Sequence, residues 1–390
     1  MSKAQPVQNN DYPIILIHGL SGWGPDEMFG KFRYWGGFGG IKEYLTDQGF
    51  RVYEAVVGPF SSNRDRAIEL YYFIKGGTVD YGAAHATLHN HERFGRTFPG
   101  VFPDWDENNK IHIIGHSMGG LTARILTNLI VDGCAIEREF YEKHPEVGIS
   151  PLFLGSEQSI HSITTLATPN NGTSLLERRG IFVPIVRGLI FALAGISGIL
   201  SKSRLYDFKL DHFGLRRKQG ESFISYVNRF FSSSIWKSED VAFACLSVRG
   251  VKANTNLLAT RPDIYYFSYT GQATKRISFL NLYRPLLTLN PIFIPTAMLM
   301  TTYTDKQSTP VIDDSWAPND GLVNVVSSFH PFGHPAKPYT EESLQPGEWN
   351  YHPVMVGWAH QDFIGIGIRS SNQAKQLCLQ IAQRLQALPK

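Results

Sequence analysis

Gly115-His116-Ser117-Met118-Gly119 sets a serine midway between two glycines. The run before it, with Ile111, Ile113 and Ile114, is β-branched and apolar, and Leu121–Asp132 after it has a helical pattern. A strand that turns sharply into a helix at G-x-S-x-G is a nucleophile elbow, with the serine oxygen exposed at its tip. The flanking backbones come so close that only glycine fits at 115 and 119. The helix start behind the serine offers N–H groups and a partial positive charge where an oxyanion would form. Ser117 is therefore the candidate nucleophile, and the N–H of Met118 a candidate oxyanion donor.

A serine hydroxyl needs a general base, and the base needs a carboxylate to orient it. In elbow enzymes the chain order is Ser, then Asp or Glu, then His. Asp320 has the best context among the downstream acids. It lies in the turn-rich Trp316-Ala317-Pro318-Asn319-Asp320-Gly321, with Asp313 and Asp314 as rivals. His330, His334, His352 and His360 all come late enough to be the base. His360 follows the strand-like Val354–Trp358 and precedes the amphipathic segment Ala374–Leu388. His116 lies inside the elbow and is too constrained to serve. Upstream, the apolar run Tyr12–His18 leads into Gly19-Leu20, the usual form of an oxyanion loop, which makes the Leu20 N–H the second candidate donor.

The elements that must carry these residues alternate. Tyr12–His18 reads as a strand, Ile41–Gln48 as a helix, Phe50–Val57 as a strand and Asp65–Lys75 as a helix. Ile111–Ile114, Ile160–Leu166 and Ile264–Tyr269 read as further strands. Such alternation predicts an α/β fold with a mostly parallel sheet and its site at the carboxyl ends of the strands. Residues 76–106 break the rhythm as an insertion holding His85, His89 and His91. Ser203–Arg261 is mixed and mostly helical, and 279–300 is apolar and punctuated by proline. With no repeat or linker, the 390 residues read as one domain. Thirty-seven basic residues against 34 acidic ones leave a net charge of +3, which speaks against a nucleic-acid partner. Cys134, Cys245 and Cys378 are too far apart for a metal motif and read as buried free thiols. The apolar stretch Gly180–Leu200 reaches spanning length, but Pro184 and Arg187 interrupt it. A buried helix or a mobile lid fits it better than a membrane span.

These segments together resemble the thermoalkaliphilic bacterial triacylglycerol lipases and the related staphylococcal-type lipases. The resemblance runs from Pro13 to the terminal helix. IHGLSGWG, VGPFSSNRDRA, GGTVDYGAAHATLHNHERFGRT, IHIIGHSMGG, TLATPNNGTSL, YDFKLDHFGLRR and WAPNDGLVN carry it. It implies an α/β-hydrolase fold, lipase or esterase activity and a triad of Ser117, Asp320 and His360. It implies a structural zinc on Asp65, His85, His91 and Asp211, with both histidines in the 76–106 insertion and the two acids tying it to the rest of the chain. It also implies a lid or cap over 174–235, a water-insoluble ester at an oil–water interface as substrate, secretion, and no obligate protein partner. Polyesters are a further candidate substrate. A short-chain carboxylesterase and a non-catalytic lipid-binding protein are the alternatives. The N-terminal MSKAQPVQNNDY has no apolar signal core. The family's calcium site follows the catalytic histidine. Here Asp362 keeps one carboxylate, but Gly367 stands where a second acid is expected. Calcium takes six to eight oxygens, so a weak or absent site is expected.

Overall fold

The computed structural model describes residues 9–390 apart from 157, 179, 181–183, 185–205, 278–281 and 370. Almost all of the apolar run expected as a lid therefore lies outside the described residues. Seven strands form the central sheet: β1 (Ile14–Ile17), β2 (Val52–Glu54), β3 (Ile111–His116), β4 (Ile160–Leu166), β5 (Tyr265–Tyr269), β6 (Ala336–Pro338) and β7 (Trp349–Tyr351). Their spatial order is β6-β7-β5-β4-β3-β1-β2, and every neighbouring pair is parallel. A parallel sheet is covered on both faces, so its central strands are buried along their whole length rather than at every second residue. Successive side chains still part company. Ile15 and Ile17 join one core with α2 (Asn63–Lys75) and α3 (Met118–Asp132). Ile14 and Leu16 join the other with α1 (Ile41–Asp47) and α4 (Ser371–Ala387).

The 76–106 insertion is an antiparallel hairpin of Gly77–Asp80 with Phe94–Phe98, carrying the short helix Ala83–His89 between its strands. Two expectations need correcting. Only Val52–Glu54 of the Phe50–Val57 run pairs in the sheet. Val354–Trp358 is not the last strand of the sheet: Met355–Val356 pairs with Gly271–Gln272 in a separate two-stranded ladder. All three cysteines are free. No described helix is long and apolar enough to cross a membrane.

Candidate active site and metal centre

Ser117 sits between the end of β3 and the start of α3 with φ 55° and ψ −126°. A positive φ costs a residue with a Cβ, so the tight connection holds this conformation against its local preference. The two glycines are needed for space. A Cβ at Gly115 would lie 2.5 Å from the Gly120 nitrogen, and one at Gly119 would lie 2.4 Å from the Ile17 carbonyl oxygen. The Met118 side chain is buried, which leaves its N–H as what it can present to a ligand.

His360 and Asp320 meet. His360 Nδ1 lies 2.8 Å from Asp320 Oδ2, and the His360 N–H donates to the Asp320 carbonyl at 3.0 Å. The other carboxylate oxygen accepts from the N–H groups of Leu322 (3.0 Å) and Val323 (2.8 Å), so a tight turn fixes the acid. An Nδ1–H donated to a carboxylate leaves Nε2 with a free lone pair, the form a general base needs. The other candidates are occupied elsewhere. Asp313 caps a turn through Ser315 at the surface. His330 stacks on Tyr351. His352 is sandwiched between Tyr269 and Tyr339, and burial pushes it down to about 3.

Unforeseen in the sequence is the hydrogen-bond chain that joins the Gly19-Leu20 loop, the turn at Ser117 and His360. The Gly19 N–H donates to Tyr34 Oη at 2.8 Å. Tyr34 Oη lies 2.6 Å from His116 Nδ1, and His116 Nε2 lies 3.0 Å from the His360 carbonyl. A backbone N–H can only donate and a carbonyl can only accept, so the ends set the direction. Tyr34 donates to Nδ1, and the proton of His116 is on Nε2. The rings of His116 and His360 are 4.7 Å apart. Burial, with the neighbouring His360 charge, holds His116 well below the usual histidine range, so it stays neutral. On the other side Arg66 is buried and donates to Thr122 on α3, to the Gly58 carbonyl and to the His18 carbonyl. It ties the Gly19-Leu20 loop to the elbow helix.

Asp65, His85 and His91 come together as expected, but their fourth partner is Asp240, not Asp211. All four ligand atoms lie within 4.8 Å of one another. His85 Nε2 is 3.2 Å from Asp65 Oδ1 and 3.0 Å from Asp240 Oδ2, and His91 Nε2 is 3.4 Å from Asp240 Oδ2. Asp211 instead pairs with Arg96 at 3.4 Å. The reason is topological. Ser61 bridges Val241, which lays Asp240 beside the first turn of α2, where Ser62 caps the Asp65 N–H. The set fits a tetrahedral ion. Ligands about 2.0–2.1 Å from a zinc stand about 3.3 Å apart, close to the separations here. Asp65 Oδ1 and His91 Nε2 are buried without a hydrogen-bond partner, as atoms reserved for a metal would be. His91 Nδ1 lies 2.8 Å from the Glu92 carbonyl, which leaves Nε2 unprotonated and facing the acids. His89 packs against His85 with ring centroids 4.4 Å apart and is not part of the set.

Asp362 is buried and its oxygens are taken by backbone donors: Oδ2 by Ala359 at 2.7 Å and Oδ1 by Arg369 at 3.1 Å. A Cβ at Gly367 would lie 2.0 Å from Asp362 Oδ1. The packing that gives Asp362 this turn-holding role leaves no room for an acid at 367.

A parallel sheet with helices on both faces, a strained serine at a strand–helix turn and a paired Asp–His beside it define an α/β-hydrolase type of protein. The comparisons agree. The family model described as "Lipase-like, C-terminal domain" matches residues 10–385, and the chain belongs to that family. Lipase 1 of Staphylococcus aureus (strain MRSA252) is 40% identical over 370 residues, 94% of this chain and 52% of its own length. The chain thus spans about half the length of that relative. EstA from Clostridium botulinum superposes with a TM-score of 0.91 at 39% identity, covering 100% of this chain and 90% of that one. Staphylococcus hyicus lipase superposes at 0.83 with 36% identity, covering 99% and 97%.

Proposed function

We propose that the protein is a serine ester hydrolase of the lipase type. The pairing of His360 Nδ1 with Asp320 beside the strained Ser117 carries this reading. Ser117 Oγ attacks the ester carbonyl while His360 Nε2 takes its proton. Asp320 orients the imidazole and stabilises its cation. The N–H groups of Leu20 and Met118 hold the oxyanion. His360 then protonates the departing alcohol, and a water activated by the same base releases the acid from the acyl-enzyme. The substrates are water-insoluble aliphatic esters, long-chain acylglycerols first, and the family relationship supports that choice. The lipid or ester surface is the partner of this enzyme, outside the cell. Polyester cleavage belongs to the same reading and is tested by release of soluble products from a film.

The test is hydrolysis of p-nitrophenyl esters from acetyl to palmitoyl, with and without an oil–water interface, wild type beside Ser117→Ala. Activity should rise with chain length and at the interface and vanish in the variant. Activity confined to short chains and indifferent to the interface would make it a carboxylesterase. No hydrolysis of any ester would overturn the reading.

Asp65, His85, His91 and Asp240 hold a structural zinc in this reading. Four protein ligands leave no open position for catalysis, so the ion ties the insertion to the body. Calcium at Asp362 is weak or absent, since the carboxylate already serves backbone donors.

A further inference from the structure

A pocket of about 180 Å³ is lined in part by α3 through Arg124, and none of Ser117, Asp320, His360 or Leu20 lines it. Arg124, Lys252 and His334 do, and no Asp or Glu is on its wall. Arg124 is 2% exposed. A buried guanidinium is expensive unless a carboxylate and a full set of acceptors offset its lost hydration. Among the described residues Arg124 has neither. It makes no ion pair with an acid. Its terminal nitrogens reach only neutral oxygens, those of Asn170 at 3.3 and 3.5 Å and the Leu258 carbonyl. Its Nε has no hydrogen-bond partner. The guanidinium carbon stands 5.6 Å over the Trp349 ring, which supplies a weak π contact and no charge.

The neighbours add donors and no acidic acceptor. Trp349 Nε1–H donates to Thr260 Oγ1 at 2.9 Å, and Thr260 Oγ1 lies 2.6 Å from His334 Nδ1. With the threonine proton on Nδ1 the histidine carries its own proton on Nε2, and the second lone pair of Oγ1 also accommodates the opposite tautomer. Burial, with the Arg124 charge, pushes His334 down to about 4, which keeps the ring neutral. Lys252 is exposed, and among the described residues its ammonium has no acidic partner. The rest of the wall is largely apolar, with Val248, Val251 and Leu258 among its residues.

We propose that this pocket binds a small aliphatic carboxylate. The anion would face Arg124, Lys252 and His334, and its short chain would lie on the apolar wall. A dry cavity of about 150 Å³ holds a six-carbon ring, so this one suits a chain of about four to six carbons. This is the chemical class of a short acid released by ester hydrolysis, but the site stands on its own residues and does not depend on the esterase reading.

The test is a ligand-observed NMR titration of sodium butyrate at constant ionic strength, with inorganic phosphate as competitor. Wild type is compared with Lys252→Ala and His334→Phe, which leave the buried Arg124 in place. Butyrate should saturate one site, and each substitution should weaken it about threefold or more, the usual worth of one exposed charge or one hydrogen bond. Absence of saturable binding, or an affinity unchanged in both variants, would overturn the proposal. Displacement by phosphate at equal or lower concentration would overturn the assignment to a carboxylate.

Discussion

Tyr34 has no place in the proposed ester cleavage, yet it links the Gly19-Leu20 loop to the residue beside Ser117. It is buried and holds the Gly19 N–H and His116 Nδ1 together. Tyr34→Phe leaves both without their partner, at a stability cost of about 1–3 kcal/mol. Because the chain ends on the His360 carbonyl, the base should lose its exact placement while substrate binding is spared. The expected outcome is a kcat about tenfold lower, roughly 1.4 kcal/mol of barrier, with KM nearly unchanged. An unchanged kcat would reduce Tyr34 to packing. Asp320→Asn should lower kcat far more, by about 10⁴-fold, because the amide favours the wrong tautomer of His360. The serine was legible in the sequence because an elbow needs glycines at fixed spacing. Asp320 and His360 were legible only through chain order and turn composition, which left rivals. Tyr34 was not legible at all, since its partners are 15 and 82 positions away.

At the scale of elements, the proposed metal centre joins three pieces of the chain. Asp65 starts α2, His85 and His91 belong to the hairpin insertion, and Asp240 comes from the segment bridged to Ser61. Without an ion, the two buried carboxylates face each other with only the histidines between them. Chelation should lower the unfolding midpoint by about 5–10 °C, the equivalent of a few kcal/mol, and added zinc should restore it. Elemental analysis should find one zinc in wild type and in Asp211→Ala but none in Asp240→Ala. Zinc retained in Asp240→Ala and lost in Asp211→Ala would restore the set that the sequence suggested. That error has a physical cause. His85 and His91 share a local segment that can be read along the chain. The fourth ligand is selected by a bridge between segments 180 positions apart, which no spacing rule reports.

For the whole molecule, the sheet and its two cores set the stability. The strands buried on both faces were legible as apolar runs. β6, at one edge, and β7 beside it were not, because AKP and WNY carry little apolar signal. Glu54, at the end of β2, is a buried defect in this core. One carboxylate oxygen has no partner, and burial, with the Glu43 charge, pushes the carboxyl up to about 7. The unfolded chain loses this proton near pH 4.5 and the folded one near 7. Stability from the neutral acid is therefore full below pH 4.5 and is lost as pH rises to 7, after which the dependence flattens. Glu54→Gln should stabilise the protein at pH 8, on the order of 2–3 kcal/mol, and change little at pH 4. Chemical denaturation at both pH values checks this; equal effects at the two would show that Glu54 is not protonated in the fold.

The central claim is that Ser117, activated by His360 and Asp320, is the nucleophile. The most direct measurement is the site and rate of labelling by an alkyl phosphonate ester, read by peptide mass. One adduct per chain is expected, on the peptide containing Ser117. It should form far more slowly in Asp320→Asn and not at all in Ser117→Ala. An adduct on another residue, or labelling of Ser117 at the same rate without Asp320, would contradict the account.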